Sequence, residues 1–384
     1  MEIGKLIACF AFISSIFVIW RGIFTIPGKR WFLKIALSLL VIIAAFKFQI
    51  FHLFGGPMYF APILPRWILL GGAVLFSIHF IFFFLLLVSE TIRLVLRLFA
   101  GFLKRKLPSK LQNANKWLNP CLALLSIIFA VVGICCGTAF PEVKKVTFEI
   151  EDLPFRADGM KIVFLTDLHI DRMRDPEWLP LVVAKVNSLE PDLILLGGDL
   201  MDGRIENLYS RMLPLRNLRA KNGVYGVPGN HEYYSGYDEW MEFLNKECNI
   251  KMLVNSSCNP GGGITLMGIA DYAGKKFKKP APNFRKAFEG VGASDKVILL
   301  SHRPDLAREA EKLDVMLQIS GHTHGGMLWG LDKIVARLNG GFVSGRYLRG
   351  NTQIYVSNGT GIWGGFPVRL SAPSEITLIT LARD

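Results

Sequence analysis

Acidic side chains are almost missing from the first 140 residues, which hold only Glu2 and Glu90 against 14 lysines and arginines. The rest of the 384-residue chain carries 30 basic and 29 acidic side chains, so the formal net charge of +13 belongs to the N-terminal part. That part is dominated by Phe, Leu and Ile. The chain also lacks repeated aromatic platforms and an overall basic domain, so a bilayer is expected as its partner and nucleic acid is not. Cysteine is scarce too, with six in all. Cys9, Cys121, Cys135 and Cys136 fall in apolar stretches, where a thiol serves as a small apolar side chain. None enters a motif, which excludes a thiolate metal site. Cys248 and Cys258 stand alone in the C-terminal part and can close a short loop in an oxidising compartment.

What the N-terminal part does contain is apolar sequence of membrane-spanning length, roughly 20 residues. Residues 67–88 and 117–140 have no Lys, Arg, Asp or Glu. Residues 3–26 carry Lys5 and Arg21, and residues 31–54 carry Lys34 and Lys47, all at positions suited to snorkelling. Four spans are expected over 1–140. No small-residue cleavage site separates the first from the apolar sequence resuming at Trp31, so it is expected to stay in place. Between the third and fourth spans lie Arg93, Arg97, Lys104, Arg105, Lys106, Lys110 and Lys116, which the positive-inside rule assigns to the cytoplasm. Lys29, Arg30 and Lys34 agree with that side. Residues 141–157 form a linker and first strand, and the domain over 158–384 is expected to be extracytoplasmic.

From Val146 the pattern changes to short β-branched runs at 161–165, 192–196, 224–227, 297–300 and 315–319, with helical stretches at 179–189, 237–246 and 306–312. This is the rhythm of a layered α/β domain, in which polar residues past strand C-termini meet at one edge. Five of the seven histidines lie beyond residue 140, each in a short signature at such an exit. Asp167 and His169 follow the first strand, where the i, i+2 spacing lets both side chains share a face of an extended segment. Asp199 follows Gly197-Gly198, Asn230 and His231 follow Gly229, His302 follows Ser301, and His322 and His324 repeat the i, i+2 spacing. Taken singly, Asp-x-His is most often a hydrogen-bonded loop pair, Gly-Gly-Asp a turn, and Asn230 a helix cap. Together they form the mixed N/O ligand set that two neighbouring divalent metals need for phosphoester hydrolysis.

In that order Asp167-x-His169, Gly198-Asp199, Gly229-Asn230-His231-Glu232, His302 and Gly321-His322-x-His324 resemble the five blocks of the calcineurin-like metallophosphoesterases, over about residues 158–384. Gly-His-Thr-His-Gly-Gly and the later Pro-Val-Arg-Leu and Ser-Glu-Ile-Thr-Leu resemble the membrane-linked bacterial phosphodiesterase-like branch, which implies a bacterial inner or plasma membrane. The resemblance implies a four-layer αββα sandwich with two metals at the strand edge. Asp167, His169 and His324 would hold the first, Asn230, His302 and His322 the second, and Asp199 would bridge both. A hydroxide between the metals would attack phosphorus. His231 would be the general acid, Asp202 would orient a histidine or serve as a turn residue before Gly203, and Glu232 would be a structural or capping acid. Mixed His/Asp/Asn donors suit Mn, Fe or Zn. Met327 departs from the Gln often found after the two glycines, which puts substrate selection in question rather than hydrolysis.

The expected substrate is a phosphodiester or phosphomonoester, with a phospholipid or envelope precursor suggested by the tether. Arg346 and Arg369 are candidate phosphate clamps because guanidinium is a planar, permanent cation. Residues 327–348 mix Trp329, Ile334, Val335, Leu338 and Phe342 with Lys333, Arg337 and Arg346, and either lie on the bilayer or form an ordinary solvated helix and loop. Two other readings stay open: a pyrophosphatase acting on a nucleotide-linked lipid precursor at the cytoplasmic face, and a non-catalytic scaffold or metal sensor. Oligomeric state is not legible.

Overall fold

Uncharged apolar runs become helices in the computed structural model, which describes residues 2–55, 62–104, 106, 108, 111 and 113–384. Helix α1 covers Glu2–Val18 and continues through a π-helical turn at Ile19–Ile23; α2 covers Trp31–Ala45, α3 Lys47–His52, α4 Arg66–Phe102 and α5 Asn115–Thr138. Among the described residues three helices are long and apolar enough to cross a membrane: Gly4–Ile23, Arg66–Phe102 and Asn115–Thr138. The expected second span differs. At Phe46 the backbone turns out of the helix (ψ 18°), dividing the segment into α2 and α3. At ~1.5 Å per residue α2 reaches about 22 Å, short of a ~30 Å hydrocarbon layer. Lys47, expected to snorkel, is instead 3% exposed, with Nζ donating to Gly365 O at 2.6 Å. The break at Phe46 leaves Lys47 against the C-terminal domain, where a carbonyl replaces the headgroups.

The helices run in register with that domain. Ile7, Phe48, Phe76, Phe80 and Ile134 pack around its Phe366 and Val368. Further along the same helices, Glu90 pairs with both Arg21 and Arg93, and Asn119 donates to Arg21 O at 2.7 Å. Thus α1 and α4 run away from the domain and α5 returns to it. Lys29, Arg30, Arg97 and Lys116 lie toward the far end; Arg105 and Lys110 of the same basic stretch fall outside the described residues.

The C-terminal domain has twelve strands: β1 Glu142–Ile150, β2 Lys161–Leu165, β3 Leu193–Leu196, β4 Val224–Gly226, β5 Lys251–Met252, β6 Ser256–Gly261, β7 Ile264–Ile269, β8 Lys296–Ser301, β9 Leu317–Ser320, β10 Gly345–Arg349, β11 Thr352–Val356 and β12 Glu375–Arg383. They form two six-stranded sheets, ordered β1-β12-β2-β3-β4-β5 and β10-β11-β9-β8-β7-β6. Helices α6 Trp178–Asn187, α7 Ile205–Met212, α8 Asn230–Ser235, α9 Tyr237–Lys246, α10 Ala273–Phe277, α11 Phe284–Ala287, α12 Ala307–Lys312 and α13 Leu331–Leu338 connect or flank them.

Strand alternation dictates the layers. Val163, Leu165, Ile194 and Leu196 face outward beneath α6, α7 and α9, whereas Ile162, Phe164, Leu193 and Leu195 face inward against Ile298, Leu300, Leu317 and Ile319 of the second sheet. The outer face of that sheet, with Val297 and Leu299, is covered by α11 and α12. The result is the expected four-layer αββα sandwich. Cys248 belongs to the outer core and Cys258 packs against the inter-sheet core. The first sheet separates them, and both are free thiols.

Candidate metal centre

Parallel pairing of β2, β3 and β4, and of β8 and β9, brings their C-terminal ends to one edge. Asp167 and His169 leave β2, Asp199 leaves β3, Asn230 and His231 open α8 after β4, His302 leaves β8, and His322 and His324 leave β9. The structure brings all of these together except that the two last histidines diverge. His324 clusters with Asp167 and His169, while His322 clusters with Asp199 and His302. Asp199 also clusters with His169 and His231. Its Oδ2 is 3.1 Å from His302 Nε2 and 3.9 Å from His169 Nε2, so one carboxylate faces both groups.

The side chains converge by a route the spacing did not show. Rather than an extended segment, Asp167 (φ 55°) and His169 (φ 46°) take left-handed backbone, as do Asp199 (φ 52°), His322 (φ 72°) and His324 (φ 49°). Asp and His adopt this region more readily than most residues, at a cost of order 1 kcal/mol each. Hydrogen bonds hold it: Asp167 N to Gly198 O at 2.9 Å and His169 N to Asp199 O at 3.1 Å. Glu232 fixes the Asp199 loop by accepting from the backbone N–H of Asp199, Leu200 and Gly229 at 3.0, 2.7 and 2.7 Å. It is both capping acid and loop clamp. Gly229 permits the approach, since a Cβ there would lie 2.2 Å from Asp199 Oδ1.

Asp202 sits behind two imidazoles. It accepts from His169 Nδ1 at 3.1 Å and, more closely, from His231 Nδ1. Burial works against charge on Asp199 and Asp202, but surrounding imidazoles outweigh it: His302 and His231 hold Asp199, and His231 and His169 hold Asp202, below the usual carboxylate range. Burial likewise opposes protonation of His231 and His302, yet Asp199 foremost raises them to about 9 and about 10.

The donors fit divalent cations. His302 donates its Nδ1–H to Gly197 O at 2.8 Å. Its Nε2 therefore faces Asp199 Oδ2 at 3.1 Å, a gap that a proton bridges in the metal-free site and that a divalent cation would occupy in its place. Asp167 Oδ1 is buried, has no hydrogen-bond partner among the described residues, and faces His324 Nε2 at 3.5 Å and His169 Nε2 at 3.8 Å. An orphaned carboxylate oxygen opposite two imidazole nitrogens is costly unless a cation draws all three together.

Three arginines take unexpected places. Arg303, which the motif order passed over, extends from the residue after His302 and spans the centre: Nε donates to Asp271 Oδ2 at 2.7 Å, Nη1 meets His322 Nε2 at 2.8 Å, and Nη2 donates to Asn230 Oδ1 at 3.1 Å. An arginine next to a metal-type histidine was its one sequence signal. Arg369, expected as a phosphate clamp, is 1% exposed. Its guanidinium donates to the carbonyls of His324, Ala372, Asn358 and Gly361 and meets His324 Nδ1 at 3.2 Å, so it braces the loop behind His324 and cannot turn to a substrate. Arg346 lies away from these side chains, bonded to Thr147 O and 4.7 Å above the Phe148 ring. Met327 packs in the apolar cluster with Phe76 and Phe366, an environment that suits a thioether better than a polar amide.

Comparison with known proteins gives the family. The calcineurin-like phosphoesterase family profile matches residues 160–326. An uncharacterized metallophosphoesterase of Helicobacter pylori strain J99 is 36% identical over 280 residues, covering 72% of this chain and 73% of its own. A transmembrane protein with metallophosphoesterase domain from Danio rerio is 31% identical over 330 residues, 83% of this chain and 74% of its own. Among solved structures, a dimetal phosphatase from Danio rerio aligns with 53% of this chain and 88% of its own at 13% identity and a TM-score of 0.37. Sandwich, clusters and relatives define a metal-dependent phosphoester hydrolase that is membrane-associated through its apolar helices. The chain belongs to the calcineurin-like phosphoesterase family.

Proposed function

We propose that this chain hydrolyses a phosphodiester or phosphomonoester carried on a membrane lipid, at the extracytoplasmic face of a bacterial inner or plasma membrane. The observation that carries the reading is the seat of residues 358–370. Gly361 N donates to Asp167 O at 3.0 Å, which ties this loop to the metal side chains. A few residues later Phe366 and Val368 pack among Phe48 and Phe76 of α3 and α4. Arg369 N donates to Gly133 O of α5 at 2.9 Å, and a Cβ on Gly133 would lie 2.4 Å from Val368 Cγ1. One loop thus joins the centre to the apolar helices, which supports a substrate presented at the membrane surface. The basic residues toward the far end of the bundle support a cytoplasmic location for that end.

Asp167, His169 and His324 would hold one divalent ion, Asn230, His302 and His322 the other, and Asp199 both, with Mn, Fe or Zn suited to the donors. Bound there, the ions supply Lewis acidity toward phosphoryl oxygens and lower the pKa of water toward ~7. The protein does the rest. Asp202 fixes the His169 and His231 rings, Glu232 holds the Asp199 loop, and Arg303 offers N–H donors to a non-bridging phosphoryl oxygen. His231 directs Nε2 to within 3.8 Å of Asp199 Oδ2, where it protonates the departing oxygen.

His231→Asn is expected to lower kcat by ~10²–10⁴-fold on an alkyl ester, as loss of a general acid does. A nitrophenyl ester, whose leaving group needs no proton, should lose far less while metal content stays unchanged. Equal losses on both esters would remove His231 from the acid role.

The overall test is metal analysis of the full chain in nanodiscs beside a panel of nitrophenyl phosphate esters, phospholipids and nucleotide-linked lipids. Turnover of a phospholipid is the expected result. Preference for the nucleotide-linked lipid, with reporter fusions at residue 384 active only in the cytoplasm, would favour the pyrophosphatase reading. Inactivity throughout, equal to that of Asp199→Asn, would favour the scaffold.

A further inference from the structure

We infer that α13, with Trp329 before it, is an interfacial helix that lies on anionic lipid headgroups beside the metal centre and selects lipid-borne over water-borne phosphoesters. The selection rests on the lipid substrate proposed above; the docking does not.

Helix α13 begins seven residues after His324 and buries none of its own residues. Ile334 and Leu338, at i and i+4, are 54% and 78% exposed, and Trp329 is 76% exposed. Lys333 and Arg337, also at i and i+4, flank this stripe and are exposed. The only acid in the helix, Asp332, accepts from Gly330 N at 2.7 Å and sits in the first turn. One apolar stripe edged by cations is the pattern of a helix lying in the headgroup plane, and tryptophan favours the same depth.

The occupant of that face follows from continuity. Met327 and Leu328 pack in the same apolar cluster as Ile7, Phe76, Phe80, Ile134 and Phe366, so the chain enters α13 directly from the spanning helices. Leu331 N and Asp332 N donate to Leu328 O at 3.1 and 3.3 Å, which couples the first turn to that cluster. The far end is held by buried Asn339 and by Phe342, packed against Ala307, Ile354 and Val356. A helix pinned at both ends, one of them on membrane-spanning segments, meets the bilayer that surrounds those segments. Its cations complement anionic headgroups. The segment that carries His322 and His324 leads straight into this helix, which ties the docked surface to the metal side chains.

The test uses the full chain in nanodiscs containing phosphatidylglycerol. Single substitutions Ile334→Cys, Leu338→Cys and, as a control at an exposed position of α12, Glu309→Cys are labelled with a nitrobenzoxadiazole thiol dye, with the wild-type chain labelled in parallel to subtract native cysteines. Doxyl lipids should quench the dye at 334 and 338 several-fold more than at 309, and aqueous iodide should quench it less. Quenching by iodide at 334 and 338 equal to that at 309 would overturn the docking. Shielding from both quenchers would mean a protein covers the helix and would overturn it as well. For selection, Ile334→Asp/Leu338→Asp should lower phospholipid hydrolysis about tenfold while leaving bis-nitrophenyl phosphate hydrolysis intact. Equal losses would overturn selection. If the wild type cleaves no lipid while the dye is lipid-quenched, the substrate proposal and selection fail and the docking stands.

Discussion

Asp199→Asn is expected to reduce phosphoester hydrolysis by about 10³-fold or more, some 4 kcal/mol of transition-state stabilisation, and to lower bound metal from two ions toward one or none. The substitution keeps the side-chain shape and Oδ1, which accepts from His231 N at 2.8 Å, so the loop should persist. What disappears is the negative charge facing His302 at 3.1 Å and His169 at 3.9 Å. Two divalent cations a few ångströms apart repel strongly in a buried site, and a shared anion is the simplest device that offsets this. Glu232 cannot replace it, because both its oxygens are occupied by backbone N–H groups. Elemental analysis and kcat on the same sample check the expectation. Two retained ions with kcat within about tenfold of wild type would show that Asp199 is not the shared ligand.

Arg369→Met should destabilise the catalytic domain by about 3 kcal/mol, because several buried carbonyls lose a charged donor at once. For a domain of this size that corresponds to roughly 6–12 °C in Tm. Metal affinity should fall too, since the guanidinium touches both the backbone and the ring of His324. A substrate clamp would behave differently, raising KM with no change in Tm or metal content. Thermal unfolding in nanodiscs with and without chelator, beside KM, separates the two roles. The distinction matters because a clamp and a brace look alike in sequence: the residues around Arg369 are apolar or small either way.

The order of the ligand-bearing loops was legible because each motif follows a short apolar run, and strands that alternate across two buried faces leave little choice of layer. Val163 and Leu165 against Ile162 and Phe164 show why. The backbone of the site was not legible. Nothing in Asp-Leu-His announces left-handed conformations at Asp167 and His169, which depend on acceptors in the Asp199 loop. Arg303 escaped for a similar reason, since its partners Asp271, His322 and Asn230 come from three other segments. In the membrane part, no proline or glycine marks the break at Phe46. Lys47 could be read only as a snorkelling cation because Gly365 is far away in sequence and near in space.

The position of β12 bears on how the protein is made. It slots between β1, which directly follows α5, and β2, which delivers Asp167 and His169. Until residues 375–383 leave the ribosome, β2 presents a bare edge that other chains can pair with. Closure of this sheet depends on a contact of long sequence separation, which slows folding. Chains with this strand still undelivered would wait in that open state, so a low local concentration matters most until β12 has reached the sheet.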